Sequence, residues 1–219
     1  MDGVFVTGTG TGVGKTVVAG LIARTAADSG LAVSVFKPAV SGLDDAREQC
    51  ARADHEHLRI ASRSEQSDDQ ISPYLFGPAV SPHLAAEMEG AEVDAGRLRD
   101  GLEAARGAGD FLVCEGVGGF LVPLRTDYLV RDFAVDAALP VVVVASPGLG
   151  TINHTLLTVE AVRGAGLGVA AVVLTPWPST PSAMEESNRL TIERLGAVDV
   201  RTVLELDPGD PGSWPGLEL

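Results

Sequence analysis

The chain has 219 residues, 45% hydrophobic and 21% charged, with 30 acidic residues against 16 Lys and Arg and a formal net charge of −14. That length and apolar content suit a single domain, 1–219, with a substantial core, and so strong an acidic balance argues against nucleic acid or an anionic membrane as partner, since both recruit clustered cations. No apolar stretch reaches the roughly 20 residues that span a bilayer, and no basic segment followed by an apolar one opens the chain, so a cytoplasmic protein is expected.

In chain order, the apolar run Val4–Val6 reads as a buried strand, and the helical pattern 15–28 follows it across the turn Gly8-Thr9-Gly10-Thr11-Gly12-Val13-Gly14-Lys15-Thr16. This is the layout of a phosphate-binding loop. Glycines let backbone N–H groups converge, the helix adds its positive end, and Lys15 and the Thr16 hydroxyl meet a terminal phosphate and a magnesium ion. The spacing is a variant of the strict pattern, because Thr9 stands five before Gly14 and the first glycine, Gly8, comes one residue earlier. A second strand, Ala32–Phe36, ends at Lys37-Pro38, with Ser41 four residues on. A lysine at a strand end is ordinarily solvated. In a chain so poor in cations, one opposite a phosphate loop reads as functional, whereas Ser41 reads equally as a turn residue before Gly42.

A helix at 53–62 carries Asp54 among Arg52, His55, Glu56, His57 and Arg59, where a solvated carboxylate is the ordinary reading. After a helix at 94–106, the strand Phe111–Cys114 runs into Glu115 and Gly116, and a carboxylate there is poorly solvated unless a cation balances it. Thr16 and Glu115 offer a hydroxyl and a carboxylate, hard oxygens of the kind Mg2+ takes while it keeps several of its waters. A helix at 129–137 and the strand Val141–Ala145 lead to Gly148-Leu149-Gly150-Thr151-Ile152-Asn153, which opens a helix at 151–165. Free N–H groups meet again at that helix start, giving a second anion site or a simple cap. His55, His57 and His154 read as packed or interfacial histidines, and His83 is ambiguous.

The strand Val169–Leu174, followed by Thr175 and Pro176, and a helix at 183–195 complete the pattern, with a Pro/Gly-rich tail near 207–219. Apolar strands alternating with helices and lacking period-two polarity predict an α/β fold, doubly wound, with a mainly parallel sheet and helices on both faces. Its ligands belong at the carboxyl ends of the strands. Cys50 and Cys114 are expected to be unlinked, reduced thiols.

Six ordered blocks give the chain a resemblance to the dethiobiotin synthetase family of variant P-loop NTPases: GTGTGVGKT at 8–16, KPAVSG at 37–42, Asp54, SPYLF with SPH at 72–83, EGVGG at 115–119 and GLGTINHT at 148–155. The resemblance implies a homodimeric ligase of biotin biosynthesis that closes 7,8-diaminopelargonate and CO2 into a cyclic urea at the expense of ATP, with Mg2+. It implies Lys37 and Lys15 as catalytic cations, and Thr16, Asp54 and Glu115 at the metal. The nucleotide falls to Gly12, Val13, Gly14, Lys15, Thr16, Val17, Asp54, Glu115, Gly116, Val117, Gly118, Thr175 and Pro176. Substrate falls to Thr11, Lys37, Ser41, Gly118, Leu149, Gly150 and Asn153, with the carboxylate held across the subunit interface. Thr175-Pro176 departs from the family, where many members carry Asn-Asp. Threonine has one hydroxyl and proline no N–H, so adenine selectivity is expected to weaken and other nucleoside triphosphates such as CTP to be tolerated. The runner-up readings are a partition-ATPase-type nucleotide switch, which uses an extra lysine early in its loop that is missing from Gly8 to Gly14, and an ATP-dependent ligase acting on another substrate.

Overall fold

The computed structural model describes residues 2–49 and 52–219. The chain runs β1 (Asp2–Gly8), α1 (Lys15–Asp28), β2 (Val33–Phe36), α2 (Leu43–Glu48), α3 (Asp54–Ser62), α4 (Asp68–Ile71), α5 (Pro82–Met88), α6 (Ala95–Gly107) and β3 (Phe111–Glu115). It continues through a hairpin of β4 (Pro123–Arg125) and β5 (Tyr128–Leu129), then α7 (Val130–Ala137), β6 (Val141–Ala145), α8 (Thr151–Gly164), β7 (Val169–Trp177), α9 (Ala183–Gly196) and β8 (Val200–Leu204). The main sheet has the order β2-β3-β1-β6-β7-β8, and every adjacent pair is parallel.

Alternation along each strand feeds two cores. Val4 and Val6 pack with Val18 and Leu21 of α1 and Leu58 of α3. Phe5 points the other way, into Phe36, Leu98, Leu102 and Phe133, and meets the Phe133 ring edge-on at 5.9 Å. With both faces covered, a strand has no polar side to display, so these segments read as unbroken apolar runs. The expected doubly wound α/β fold is the one observed.

All five expected strands form. β7 continues past Leu174 to Trp177, which pairs with Leu204 of β8, so Thr175 and Pro176 are strand residues and do not begin a loop. The register shifts between Leu174 and Trp177, and such an irregularity is where a strand tolerates proline. Unanticipated elements are β8, the β4–β5 hairpin and the short helices α2, α4 and α5.

The Pro/Gly-rich segment from Asp207 onward packs across α1 and α3. Trp214 is buried, its Nε1 donates to the Asp207 carbonyl at 2.8 Å, and its ring stacks on His57 of α3. A Cβ on Gly20 of α1 would stand 2.7 Å from that indole, so the glycine opens the notch it fills. Two helices that begin at the candidate site are thereby bolted together. Cys114 is an unpaired thiol in β3, and burial pushes its pKa up; Cys50 lies outside the described residues.

Candidate active site

The loop after β1 enters α1 through Gly14, whose φ of 94° is left-handed, and no side chain caps the helix. The first amides of α1 are therefore available to an anion. A Cβ at Gly14 would also stand 2.7 Å from the Thr175 methyl, so glycine is required there twice over. Lys15 curls back over its own loop, and Nζ donates to the Gly10 carbonyl at 2.8 Å.

Sheet register gathers the remaining groups. Pairing of Val6 with Glu115 sets that carboxylate beside the loop, and pairing of Phe36 with Cys114 brings Lys37 alongside it. Thr16 Oγ1 donates to Glu115 Oε1 at 2.9 Å. Lys37 Nζ lies 2.5 Å from the same oxygen and 3.0 Å from Asp54 Oδ2. Asp54 is the first residue of α3, so the ordinary reading of a carboxylate solvated on a charged helix is corrected: it faces Lys37 across the site.

The Lys37 side chain is 2% exposed and that of Glu115 fully buried. Burial draws the Lys37 pKa down, but Asp54 and Glu115 outweigh it and hold the ammonium above the usual lysine range. For Glu115 burial prevails over Lys37 and raises the carboxyl, whereas at Asp54 the same lysine outweighs burial and lowers it. Burial, reinforced by Lys37, lowers Lys15 to about 8. These are the chain's only two lysines, every other cationic side chain of the Lys and Arg type being an arginine. A compact ammonium thus occurs only at this site.

A cavity of about 570 Å3 opens over the cluster. Among the expected residues it takes in Thr11, Gly12, Gly14, Lys15, Thr16, Val17, Lys37, Ser41, Asp54, Glu115, Val117 and Gly118. Val13 is buried beneath the loop and Gly116 in the strand end, where its amide donates to the Val6 carbonyl. Thr175 is buried beside Gly14, and Pro176 is exposed. Reasoning from sequence missed a wall built by Ala79, Val80, Ser81 and Pro82; the SPH block and the Ser-Pro start of α5 were its signal.

Among the described residues no group of three His, Cys, Asp or Glu is arranged to hold a metal. A donor set of one hydroxyl and two carboxylates suits only a hard ion that retains water, as Mg2+ does. Glu115 Oε2 is buried without a partner, an acceptor left open for such an ion or its water.

Leu149, Gly150 and Asn153 do not line this cavity. α8 begins at left-handed Gly150, φ 93°, again with no side-chain cap. Leu149 is 92% exposed, and Asn153 faces solvent. A smaller cavity of about 250 Å3 separates this turn from Thr9, Gly10 and Val13. Asn188 of α9 steadies the turn, donating to the Pro147 carbonyl at 2.9 Å. His55 is buried and burial lowers its pKa, while His57 places its ring nitrogens against the Ala53 and Pro208 carbonyls.

Residues 2–208 match the model of a family described as an AAA domain. The chain is 44% identical over 196 residues to an ATP-dependent dethiobiotin synthetase BioD of Anaeromyxobacter dehalogenans (strain 2CP-1), covering 87% of this chain and 86% of that one. Proteins of the same name from Bacillus subtilis (strain 168) and Pseudomonas aeruginosa are each 36% identical, covering 91% and 97% of this chain and 85% and 94% of theirs. Among solved structures, the cell division ATPase MinD of Pyrococcus furiosus superposes with a TM-score of 0.55 at 16% identity, covering 95% of this chain and 85% of that one. The Aquifex aeolicus MinC:MinD complex gives 0.59 at 14%, covering 98% and 87%. Likeness at that distance concerns the fold alone.

Proposed function

The chain belongs to the ATP-dependent dethiobiotin synthetase family, and from that premise we propose that it closes 7,8-diaminopelargonate and CO2 into dethiobiotin, with ADP and phosphate as the other products. The observation that carries this reading is the convergence of both lysines with Thr16, Asp54 and Glu115 under one cavity. A carbamate formed on one substrate amine is anionic, and so is the γ-phosphate it must approach. Lys37 and Lys15 flank their meeting point and offset charge that grows during transfer. The carbamate oxygen attacks phosphorus and ADP departs. The second amine then attacks the carbamoyl carbon of the mixed anhydride, loses a proton and expels phosphate. No protein nucleophile is required, because positioning and charge balance carry the reaction.

Thr16, Asp54 and Glu115 would hold Mg2+ in this reading, and the ion would supply positive charge to offset that of the nucleotide phosphates. The uncapped start of α8 takes the substrate carboxylate. Its absence from the lining of the cavity that holds Lys37, and the outward Leu149, support a homodimer in which that turn serves the partner's cavity. A cytoplasmic dimer is part of this proposal. Among the described residues no helix is long and apolar enough to cross a membrane. At the base, the Thr175 side chain is buried against Gly14 and Pro176 lacks an N–H, so adenine has no bidentate amide partner at this pair.

Phosphate release assayed with ATP, CTP, GTP and UTP tests both parts of the proposal. Release is expected only when diaminopelargonate, bicarbonate and Mg2+ are all present, with dethiobiotin formed in equal amount. Turnover in CO2-free buffer contradicts the reaction. A preference for ATP above about a hundredfold over every other base, roughly 2.7 kcal/mol, contradicts the reading of Thr175 and Pro176.

A further inference from the structure

Two of the three groups assigned to the metal, Asp54 and Glu115, already hold a cation, and that cation is the side chain assigned to the carbamate. Lys37 Nζ bridges Glu115 Oε1 at 2.5 Å and Asp54 Oδ2 at 3.0 Å, while Thr16 Oγ1 donates to the same Glu115 oxygen at 2.9 Å. An Mg2+ ion needs oxygens at about 2.0–2.1 Å in near-octahedral array. Drawn to the same two carboxylates, it would stand close to an ammonium that is itself buried, and the two like charges would repel. Room for another arrangement exists on both sides: Glu115 Oε2 is unpartnered, and Lys37 lines the cavity into which its ammonium would swing.

Resting on the function above, we propose that Lys37 is a resident cation that Mg2+ replaces. Entry of the ion with the nucleotide takes Asp54 and Glu115 from Lys37 and frees the ammonium to meet the carbamate. Before the ion arrives, Lys37 spares the fold an uncompensated buried charge at Glu115, a destabilising arrangement. Afterwards it is a free donor at the reacting centre. Only ion pairs and hydrogen bonds are exchanged. The device orders events, since the carbamate acquires its lysine once the metal-nucleotide complex is seated.

Two lysines in the whole chain make the exchange directly observable in the full-length protein, labelled with 15N at lysine and 13C at glutamate and assigned with Lys15→Arg. In EDTA with a saturating non-hydrolysable ATP analogue, a through-hydrogen-bond coupling is expected between Lys37 Nζ and the Glu115 carboxyl carbon. Saturating Mg2+ abolishes it. The Lys15 signal should already have moved when the analogue bound, as Nζ leaves the Gly10 carbonyl. A Lys37–Glu115 coupling that survives Mg2+, or is missing in EDTA, overturns the exchange while leaving the proposed reaction standing. A Lys15 signal indifferent to the analogue overturns the nucleotide reading itself, and the exchange with it.

Discussion

The start of α1 and the start of α8 are built alike and equipped differently. Each follows a strand, β1 or β6, that is the other's neighbour in the sheet. Each turns through a left-handed glycine, φ 94° at Gly14 and 93° at Gly150, into a helix of 14 residues that no side chain caps. α9 shows the ordinary alternative, with the Ser182 side chain accepting from the Glu185 amide. Both open starts offer amides and a helix dipole to an anion. They part in what the neighbouring strands deliver. β2 and β3 bring Lys37 and Glu115 to α1, whereas the α8 turn is steadied by the neutral Asn188. Backbone geometry leaves both helix starts open to an anion, and the register of adjacent strands adds charged groups to only one of them.

Charge is the largest difference between the two turns. Lys37→Ala and Lys15→Ala are each expected to lower kcat by on the order of 10²–10³, the scale for removing one preorganised group at a reacting centre. Steady-state kinetics at saturating substrates measures this, and wild-type kcat in Lys37→Ala removes that residue from the reaction. The two glycines come next in expected effect. A left-handed non-glycine residue costs about 1–2 kcal/mol, a factor of roughly 5–30. Gly150→Ala is expected to raise KM for diaminopelargonate by that factor and leave KM for the nucleotide alone. Gly14→Ala does the reverse and by more, since its Cβ would also meet the Thr175 methyl at 2.7 Å. Equal effects on both substrates in either variant would undo the assignment of one anion to each turn.

Proton linkage gives the smallest effect. Lys15 titrates near 8 in the free protein, and a phosphate favours its charged form, so binding of the nucleotide takes up a proton above pH 8. Its Kd rises at most about tenfold per pH unit there and is flat with respect to this group well below it. The α8 turn has no lysine, so pelargonate used as a probe carboxylate should show no such dependence. Calorimetry at pH 8 in two buffers of different ionisation enthalpy measures the uptake, and buffer-independent heats for the nucleotide contradict it.

Much of the fold was legible because a sheet buried on both faces writes itself as apolar runs, which is how Val141–Ala145 and its fellows declared themselves. β8 escaped because it is an edge strand: Arg201, Thr202 and Leu204 are exposed and only Val200 and Val203 are buried, too little pattern to register. The phosphate loop stood out because Gly-Lys-Thr at a helix start has few other uses, Lys37 because the chain has so few cations, and Glu115 because a carboxylate ending a buried strand needs a cation to balance it. The contact between Lys37 and Asp54 was invisible. It depends on how α3 docks onto α1, and that docking is fixed by packing among Val18, Leu58, Ala61 and Trp214 that no spacing encodes.

In the proposed reaction the carbamate oxygen, positioned by Lys37, attacks the γ-phosphorus directly. Turnover in bicarbonate and CO2 equilibrated with 18O and added to unlabelled water, analysed by mass spectrometry before the label washes out, tests it most directly. Each phosphate released should carry one 18O atom from the labelled carbon source, in proportion to the dethiobiotin formed. Phosphate free of that label, with dethiobiotin still accumulating, would show that another nucleophile takes the phosphoryl group.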